Sequence, residues 1–289
     1  MNKNILTALI AILTLTILTG CLKRDKMEDI NVATTIYPIE YVTNRIYKDH
    51  SQIKSIYPRN SIAKEYKISK KQIKDYSEYD LFIYNGESNE REYATKMLNE
   101  NKKLKIIDAA YGLEATYQDS DIWLNPSNVL MIGQNIKNDL TEYIEDPYLK
   151  DEIIENYNQL KVDITELETE LKKAADNSIN SNIIVADESL NFLEKYGFTI
   201  INLTEKGKNK ENNIEKAKQL LNKKEVDYLF VIEHQKELEI IDTITNTYKI
   251  EKLTFRKLDT ITEEDEKNND DYISIMHSNI DLLKQETYK

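Results

Sequence analysis

Residues 147–175 carry one continuous apolar stripe and predict a long amphipathic helix. The apolar positions are separated by steps of three or four residues, which is the period of one buried helical face. They are Leu149, Ile153, Tyr157, Leu160, Ile164, Leu167, Leu171 and Ala174. Asp146-Pro147 suits the start of a helix, because the N–H that proline lacks is unpaired in a first turn anyway. A helix of this length spans roughly 40 Å, although an ordinary helix of one large domain or a coiled-coil segment would show a similar stripe.

Short apolar, β-branched runs alternate with amphipathic segments on both sides of this helix. The first side predicts strands at residues 30–36, 53–57, 81–85 and 104–108. The second side predicts strands at residues 183–186, 199–203, 228–232 and 250–254. Strands that alternate with helices indicate parallel sheets. The predicted fold class is therefore α/β, with two parallel-sheet lobes joined by one long backbone helix and a ligand cleft between the lobes.

The same pattern divides the chain into five parts. Residues 1–20 are interpreted as a lipoprotein signal peptide and residues 21–29 as a charged tether. Residues 30–145 form the predicted N-terminal α/β lobe, 146–177 the linking helix, and 178–289 the C-terminal α/β lobe.

The amino terminus predicts export and lipid anchoring. Lys3 precedes an apolar run at residues 5–18 that is shorter than the ~20 residues of a membrane-spanning helix. The run ends in Leu18-Thr19-Gly20-Cys21, which resembles a bacterial lipobox, and Cys21 is the only cysteine. Lipidation of Cys21 would explain an unpaired cysteine in an exported chain, and would anchor the protein to the outer face of the cytoplasmic membrane. An uncleaved anchor with an incidental cysteine is the alternative.

Composition excludes one class of partner. The 289 residues carry a formal net charge of −12, from 51 acidic and 39 basic residues. A nucleic-acid-binding protein needs a basic face to replace counterions on phosphate, and no such face is evident. The acid excess agrees with a cation-binding or a well-solvated extracellular protein.

Charged residues, mostly carboxylates, follow several of the predicted strands. In parallel α/β sheets ligands bind beyond the carboxyl ends of the strands, so these side chains are the candidates for a site, although each acid could simply cap a helix. They are Lys64, Glu65, Asp119, Asp121, Asp187, Glu188, Glu233 and Asp259. The sequence has no Gly-rich nucleotide loop, no G-x-S-x-G element and no zinc motif around its three histidines.

Four segments carry a resemblance to a known family. These are residues 33–39 (ATTIYPI), 80–86 (DLFIYNG), 122–126 (IWLNP) and 271–276 (DYISIM). Together with the lipobox and the paired lobes, they resemble the solute-binding lipoproteins of zinc- and manganese-type ABC importers. The resemblance implies a monomeric receptor without a catalytic step, which binds its solute between the lobes and docks on an ABC permease.

The resemblance also implies four metal-binding positions, and this chain departs from the family pattern at three of them. The family's first histidine corresponds to Lys64, the second to Asp121, and the third ligand, a His or Glu, to Asp187. Only Asp259 keeps the family identity at the fourth position. Glu65 and Glu188 are candidates for supporting positions beside these residues.

The altered residue types change the chemistry that this site can perform. Zinc favours imidazole and thiolate ligands, so a set of Asp121, Asp187 and Asp259 suits manganese, magnesium or calcium better. A protonated lysine has no lone pair to offer a metal. We therefore expect the Lys64 ammonium to lie among the three carboxylates and to offset their mutual repulsion.

Three functional interpretations follow. The first is an importer receptor whose cleft binds one divalent cation through the altered Lys/Asp/Asp/Asp set. The second is a paralogue that binds no metal, whose cleft is closed by a Lys64–Asp salt-bridge cluster, and which has an adhesive or regulatory surface role. An enzyme that uses paired carboxylates is the third, and no motif supports it.

Overall fold

The computed structural model describes residues 24–86, 90–113, 121–205, 208–236 and 238–289. The predicted signal peptide, Cys21 and Asp119 lie outside the described residues. Within the part that is described, no helix has both the length and the apolar character to cross a membrane.

The N-terminal lobe is a four-stranded parallel sheet with helices packed on it, as predicted. Its elements are β1 (Ile30–Thr34), α1 (Tyr37–Tyr47), β2 (Ser51–Ser55), α2 (Lys70–Ser77), β3 (Leu81–Tyr84), α3 (Glu90–Glu100), β4 (Lys105–Asp108) and α4 (Pro126–Tyr143). The strand order is β2-β1-β3-β4, and all pairs are parallel. β1 and β3 are the central strands, and every residue of β3 is buried.

The C-terminal lobe repeats this arrangement. Its elements are β5 (Asn182–Val185), a 3-10 segment (Glu188–Tyr196), β6 (Thr199–Asn202), α6 (Lys208–Asn222), β7 (Tyr228–Ile232), α7 (Glu239–Tyr248), β8 (Glu251–Phe255), α8 (Glu263–Asn268) and α9 (Tyr272–Thr287). The strand order β6-β5-β7-β8 has the same topology, again with parallel pairs. The two lobes thus confirm the predicted α/β class.

The linking helix, α5, runs over Pro147–Asp176. All eight residues of the predicted stripe are buried, and the Asp146 side chain caps the helix by accepting a hydrogen bond from Leu149 N. The helix packs against α1 and α4 of the first lobe and α9 of the second. One apolar core therefore runs through both lobes along this helix, and a smaller core lies beneath α6 and α7.

Two elements differ from the sequence pattern. Residues 188–196 form a 3-10 segment instead of an α-helix. The short helix α8 was not predicted, because its sequence Glu-Glu-Asp-Glu-Lys-Asn has no apolar period. A capping box between Thr262 and Asp265 supports α8 instead, with each residue bonding the backbone of the other, and such a box satisfies otherwise unpaired N–H groups at a helix start.

The segment predicted to be a tether is partly folded. Met27 is fully buried, and the Tyr47 hydroxyl donates a hydrogen bond to its carbonyl. Residues 24–29 therefore belong to the N-terminal lobe and not to a free linker, because apolar burial and backbone hydrogen bonding hold them in place. The charge content of residues 21–29 suggested a solvated segment, and for that reason the burial of Met27 was not predicted.

Glu286 on α9 predicts a pH-dependent stability. Burial raises its pKa to about 7, although backbone N–H groups of Asp227 and Tyr228 oppose the shift. The folded state thus binds a proton more tightly than the unfolded state, so this group's contribution to the free energy of unfolding falls as the pH rises from about 4.5 through about 7. Glutamine does not titrate, so Glu286→Gln should remove this loss. We expect the free energy of unfolding of the variant, relative to that of wild type, to rise by about 2 kcal/mol from pH 5 to pH 8, after allowance for solvent screening.

Urea denaturation of both proteins across that pH range measures the effect. The exposed Glu251→Gln is the control and should run parallel to wild type. A Glu286→Gln variant whose stability curve also runs parallel to wild type would contradict the assignment.

Candidate functional site

A cluster of charged side chains lies between the lobes, and it includes three of the four predicted site residues. Asp121 precedes a short 3-10 turn (Ile122–Leu124), Lys64 lies in the connection after β2, and Asp259 follows β8. Asp121 and Asp259 are 4% and 2% exposed. The Lys64 Nζ atom is 3.6 Å from Asp121 Oδ1.

The central cation of this cluster is Lys257 and not Lys64. Lys257 Nζ is 3.5 Å from Asp121 Oδ1 and 3.5 Å from Asp259 Oδ2. Its side chain is only 9% exposed, whereas the Lys64 side chain is 48% exposed. We expected Lys64 among the carboxylates. It lies instead at the edge of the cluster, where it contacts Asp121.

The backbone around Lys257 explains how it reaches the site. Leu258, which separates it from Asp259, is fully buried and has a φ of 63°. The left-handed region costs a residue with a Cβ roughly 1 kcal/mol or more, so the surrounding contacts must hold this turn. Glu233 Oε2 accepts a hydrogen bond from Lys257 N at 3.1 Å, and Trp123 Nε1 donates one to the Lys257 carbonyl at 2.8 Å.

Asp259 connects the two lobes through its backbone and its side chain. Its carbonyl accepts a hydrogen bond from Tyr37 N at 3.0 Å, and its carboxylate accepts one from Ala63 N at 3.3 Å and another from Thr260 N at 3.1 Å. Tyr37 and Ala63 belong to the N-terminal lobe. Asp259 is thus held in place by N–H donors from the opposite lobe.

Asp187 acts on the cluster through Ser189. Its carboxylate accepts a hydrogen bond from Ser189 N at 2.8 Å and caps the 3-10 segment. The Ser189 hydroxyl lies 3.2 Å from both Asp121 Oδ2 and Asp121 N. The helix-capping alternative from the sequence therefore describes Asp187 well, and Ser189, which the sequence gave no reason to select, positions Asp121.

The electrostatics of Asp121 show that its charge is costly. Burial raises its pKa, Lys257 and Lys64 lower it, and the charges of Asp259 and Asp187 raise it again, with a net upward shift. Its Oδ1 atom faces both lysines but has no hydrogen-bond partner among the described residues. Burial therefore disfavours the charged form of this carboxylate, and the two cations favour it.

The supporting residues proposed from the sequence lie at the margin of this site. Glu65 is exposed and Glu188 is half-buried. In the described parts of the chain, the ion pairs of Lys257 are with Asp121 and Asp259 and not with either glutamate.

As they are arranged, the side chains of this site do not form a set of ligands around one metal ion. Within the described residues, no three His, Cys, Asp or Glu side chains are grouped so that they could hold an ion. The position between Asp121 and Asp259 is taken by an ammonium, which carries three donors and no lone pair. As the site stands, Lys257 supplies the positive charge that a bound cation would supply.

Contacts outside the cluster also join the lobes. Arg59 pairs with Glu40 of its own lobe at 2.6 Å and with Glu266 of the other lobe at 2.8 Å. Pairing with Glu40 raises the pKa of Arg59. The Thr260 hydroxyl donates to the Ser61 carbonyl at 2.6 Å, which is a further hydrogen bond between the lobes.

Lys257 was missed because its sequence signal is weak. It lies two residues before Asp259 in Arg256-Lys257-Leu258-Asp259, and a basic residue after a strand is normally solvated. Its position two residues before Asp259 gave some indication that the two side chains could meet. They do so because the left-handed Leu258 turns the chain between them.

Two lobes on one helical backbone, with a polar cluster enclosed between them, define the class of two-lobed α/β binding proteins. Residues 32–286 match the family model described as "ZnuA: Zinc-uptake complex component A periplasmic". This chain belongs to that family.

Curated relatives agree with this assignment. The zinc-binding lipoprotein AdcA of Streptococcus pneumoniae (strain ATCC BAA-255 / R6) is 21% identical over an alignment of 308 positions, covering 98% of this chain and 61% of AdcA. The manganese ABC transporter substrate-binding lipoprotein PsaA of Streptococcus pneumoniae is 26% identical, covering 92% of this chain and 91% of PsaA. The chain thus spans about three-fifths of the length of AdcA.

Solved structures share the fold. The metal-dependent lipoprotein YcdH of Bacillus subtilis superimposes with a TM-score of 0.75 at 20% identity, over 90% of this chain and 100% of that one. The Zn(II)-bound ZnuA-like domain of Streptococcus pneumoniae AdcA gives a TM-score of 0.71 at 21% identity, with coverage of 90% and 100%.

Proposed function

We propose that this protein is an exported, lipid-anchored receptor of the metal-importer type whose interlobe site is filled by its own Lys257 and takes up no zinc. It keeps the receptor fold, is anchored through Cys21 on the outer face of the cytoplasmic membrane, and docks as a monomer on an ABC permease. It has no catalytic step. The relatives' names support the receptor class, and the buried Lys257 ammonium supports a site without zinc.

The observation that carries the proposal is the position of the Lys257 ammonium. It lies 3.5 Å from the carboxylate of Asp121, in the N-terminal lobe, and 3.5 Å from the carboxylate of Asp259, in the C-terminal lobe. A divalent cation placed between the same oxygens would lie against this ammonium, and a double and a single positive charge about 4 Å apart repel by about 8 kcal/mol at an effective dielectric of 20. Metal binding therefore requires Lys257 to leave or to lose its proton.

A second candidate function is cation binding through Asp121, Asp187 and Asp259. The hydrogen-bond-free Oδ1 of Asp121 favours it, because such an oxygen is a ready cation ligand. This candidate requires Lys257 to swing away and the three carboxylates, which are not grouped around one point among the described residues, to move together. Oxygen ligands would then favour manganese, magnesium or calcium.

Metal analysis and thermal melting separate the two candidates. We expect the purified wild-type protein to contain no stoichiometric metal and to show no rise in melting temperature with zinc, manganese, magnesium or calcium, since only a ligand of the folded state raises it. One bound metal per chain, or a melting temperature that rises with ion concentration, would overturn the closed-site proposal and support the second candidate.

A paired substitution tests the geometry of the site. Lys64→His combined with Lys257→Gln places an imidazole beside Asp121 and removes the central ammonium, so we expect it to gain zinc affinity by calorimetry. Lys64→Gln combined with Lys257→Gln is the matched control, since it lacks only the imidazole. Equal zinc binding by the two folded double variants would contradict the placement of Lys64 beside the carboxylates.

A further inference from the structure

The chain between Arg24 and Asp29 is fixed to the N-terminal lobe by several independent contacts. Met27 is fully buried and its carbonyl accepts a hydrogen bond from the Tyr47 hydroxyl, and Lys26 pairs with Glu145. Asp29 leads directly into β1, whose first residue is Ile30. The ordered lobe therefore begins no later than Arg24.

Asp25 secures this segment to the start of the linking helix. Its carboxylate accepts hydrogen bonds from the backbone N–H groups of Met27, Glu145 and Asp146, each at 2.7 Å. Although burial opposes it, these bonds lower the pKa of Asp25. Asp25 is thus ionised at neutral pH, and a charge-assisted clamp of this kind is stronger than neutral hydrogen bonds.

This clamp limits how far the lobe can stand from an anchor at Cys21. Two residues, Leu22 and Lys23, lie between Cys21 and Arg24, and a fully extended chain covers at most about 11 Å over the three steps that join them. The predicted tether of residues 21–29 would have allowed about 30 Å. The clamp removes most of that reach.

We propose that the edge of the N-terminal lobe around Arg24 and Asp49 lies at the outer surface of the membrane bilayer, with the carboxyl ends of the strands facing away from it. Asp49 belongs to this edge, because it lies two residues before β2, whose first residue pairs with Ile30. The proposal rests on the proposed lipid anchor at Cys21. The occupant of this face is the lipid surface, fixed by the short chain that leads to it.

The opposite edge of the same lobe supplies an internal reference. Lys67 is exposed and neighbours Tyr66, whose ring contacts Tyr57 two residues beyond the carboxyl end of β2. A strand of five residues is about 17 Å long, so Asp49 and Lys67 lie near opposite ends of the lobe.

Spin labels on the lipidated full-length protein in liposomes test the placement. Because acylation blocks the only native thiol, Asp49→Cys or Lys67→Cys introduces a unique labelling site. We expect the label at position 49 to collide several-fold more often with a nickel chelate attached to lipid headgroups than the label at position 67. A Gly/Ser insertion of about twelve residues after Lys23, which adds a reach of about 19 Å, should abolish the difference.

The outcomes separate this inference from the anchor on which it rests. Failure of the wild-type protein to acquire lipid at Cys21, by mass spectrometry, would overturn the anchor and the placement together. A lipidated, membrane-bound protein with equal collision rates at positions 49 and 67 would overturn the placement alone. A difference that survives the insertion would show that contacts other than the short chain orient the lobe, and would also overturn the argument from reach.

Discussion

Replacement of Lys257 by methionine is expected to lower the free energy of unfolding at neutral pH by about 3–5 kcal/mol, because removal of one partner leaves buried charge uncompensated. Methionine keeps most of the length of the side chain, so the loss reports the ammonium more than a cavity. Asp121 and Asp259 would then lie buried without that ammonium, and among the described residues the cation that remains paired with Asp121 is the half-exposed Lys64.

The pH dependence of this loss has a defined sign. Burial already raises the pKa of Asp121, and removal of Lys257 raises it further. A raised pKa in the folded state means that stability increases as the pH falls through that pKa, so Lys257→Met should lose less at pH 5 than at pH 8. Urea denaturation at the two pH values measures this difference.

Two variants control for the interpretation. Lys64→Met removes a half-exposed partner of the same carboxylate, and should cost less than about 1 kcal/mol. Adding Asp121→Asn to Lys257→Met removes the stranded charge while leaving an amide for Ser189, and should restore part of the stability. Equal losses for Lys257→Met and Lys64→Met would show that Lys257 is not the central cation.

Replacement of Leu160 by alanine is the second large effect, with an expected loss of about 2–5 kcal/mol. Leu160 is fully buried at the middle of the linking helix, where it lies beside Gly133 of α4. Since one core runs through both lobes along this helix, the loss should lower the stability of the whole molecule and not of one lobe. Val162→Ala, on the exposed face of the same helix, should change stability by about 0.5 kcal/mol or less.

Trp123 makes this test specific. It is the only tryptophan, and it is buried at the lobe interface, where it bonds the Lys257 carbonyl. In Leu160→Ala, unfolding followed by Trp123 fluorescence and by far-ultraviolet circular dichroism should coincide at one lower midpoint, as in a two-state transition. Two separate midpoints would show that the lobes unfold independently of the linking helix.

The elements that local patterns specify were predicted well. The stripe on the linking helix, its start at Asp146-Pro147 and the parallel strands of both sheets follow from side-chain periodicity and alternating elements, which are properties of short sequence windows. Helix α8 was missed because its support comes from a capping box and not from an apolar period. The burial of Met27 was missed because a single apolar residue in a charged segment has no period at all.

By itself, the sequence placed Asp121 in a long loop of the first lobe and Asp259 after the last strand of the second, and the family resemblance predicted Lys64 at a ligand position. Only the tertiary structure decided which cation lies between the carboxylates. Lys64 and Lys257 are chemically identical, so their roles depend on burial, and burial depends on how the lobes dock. The left-handed Leu258 and its long-range contacts carry Lys257 into the interior, whereas Lys64 remains half in solvent.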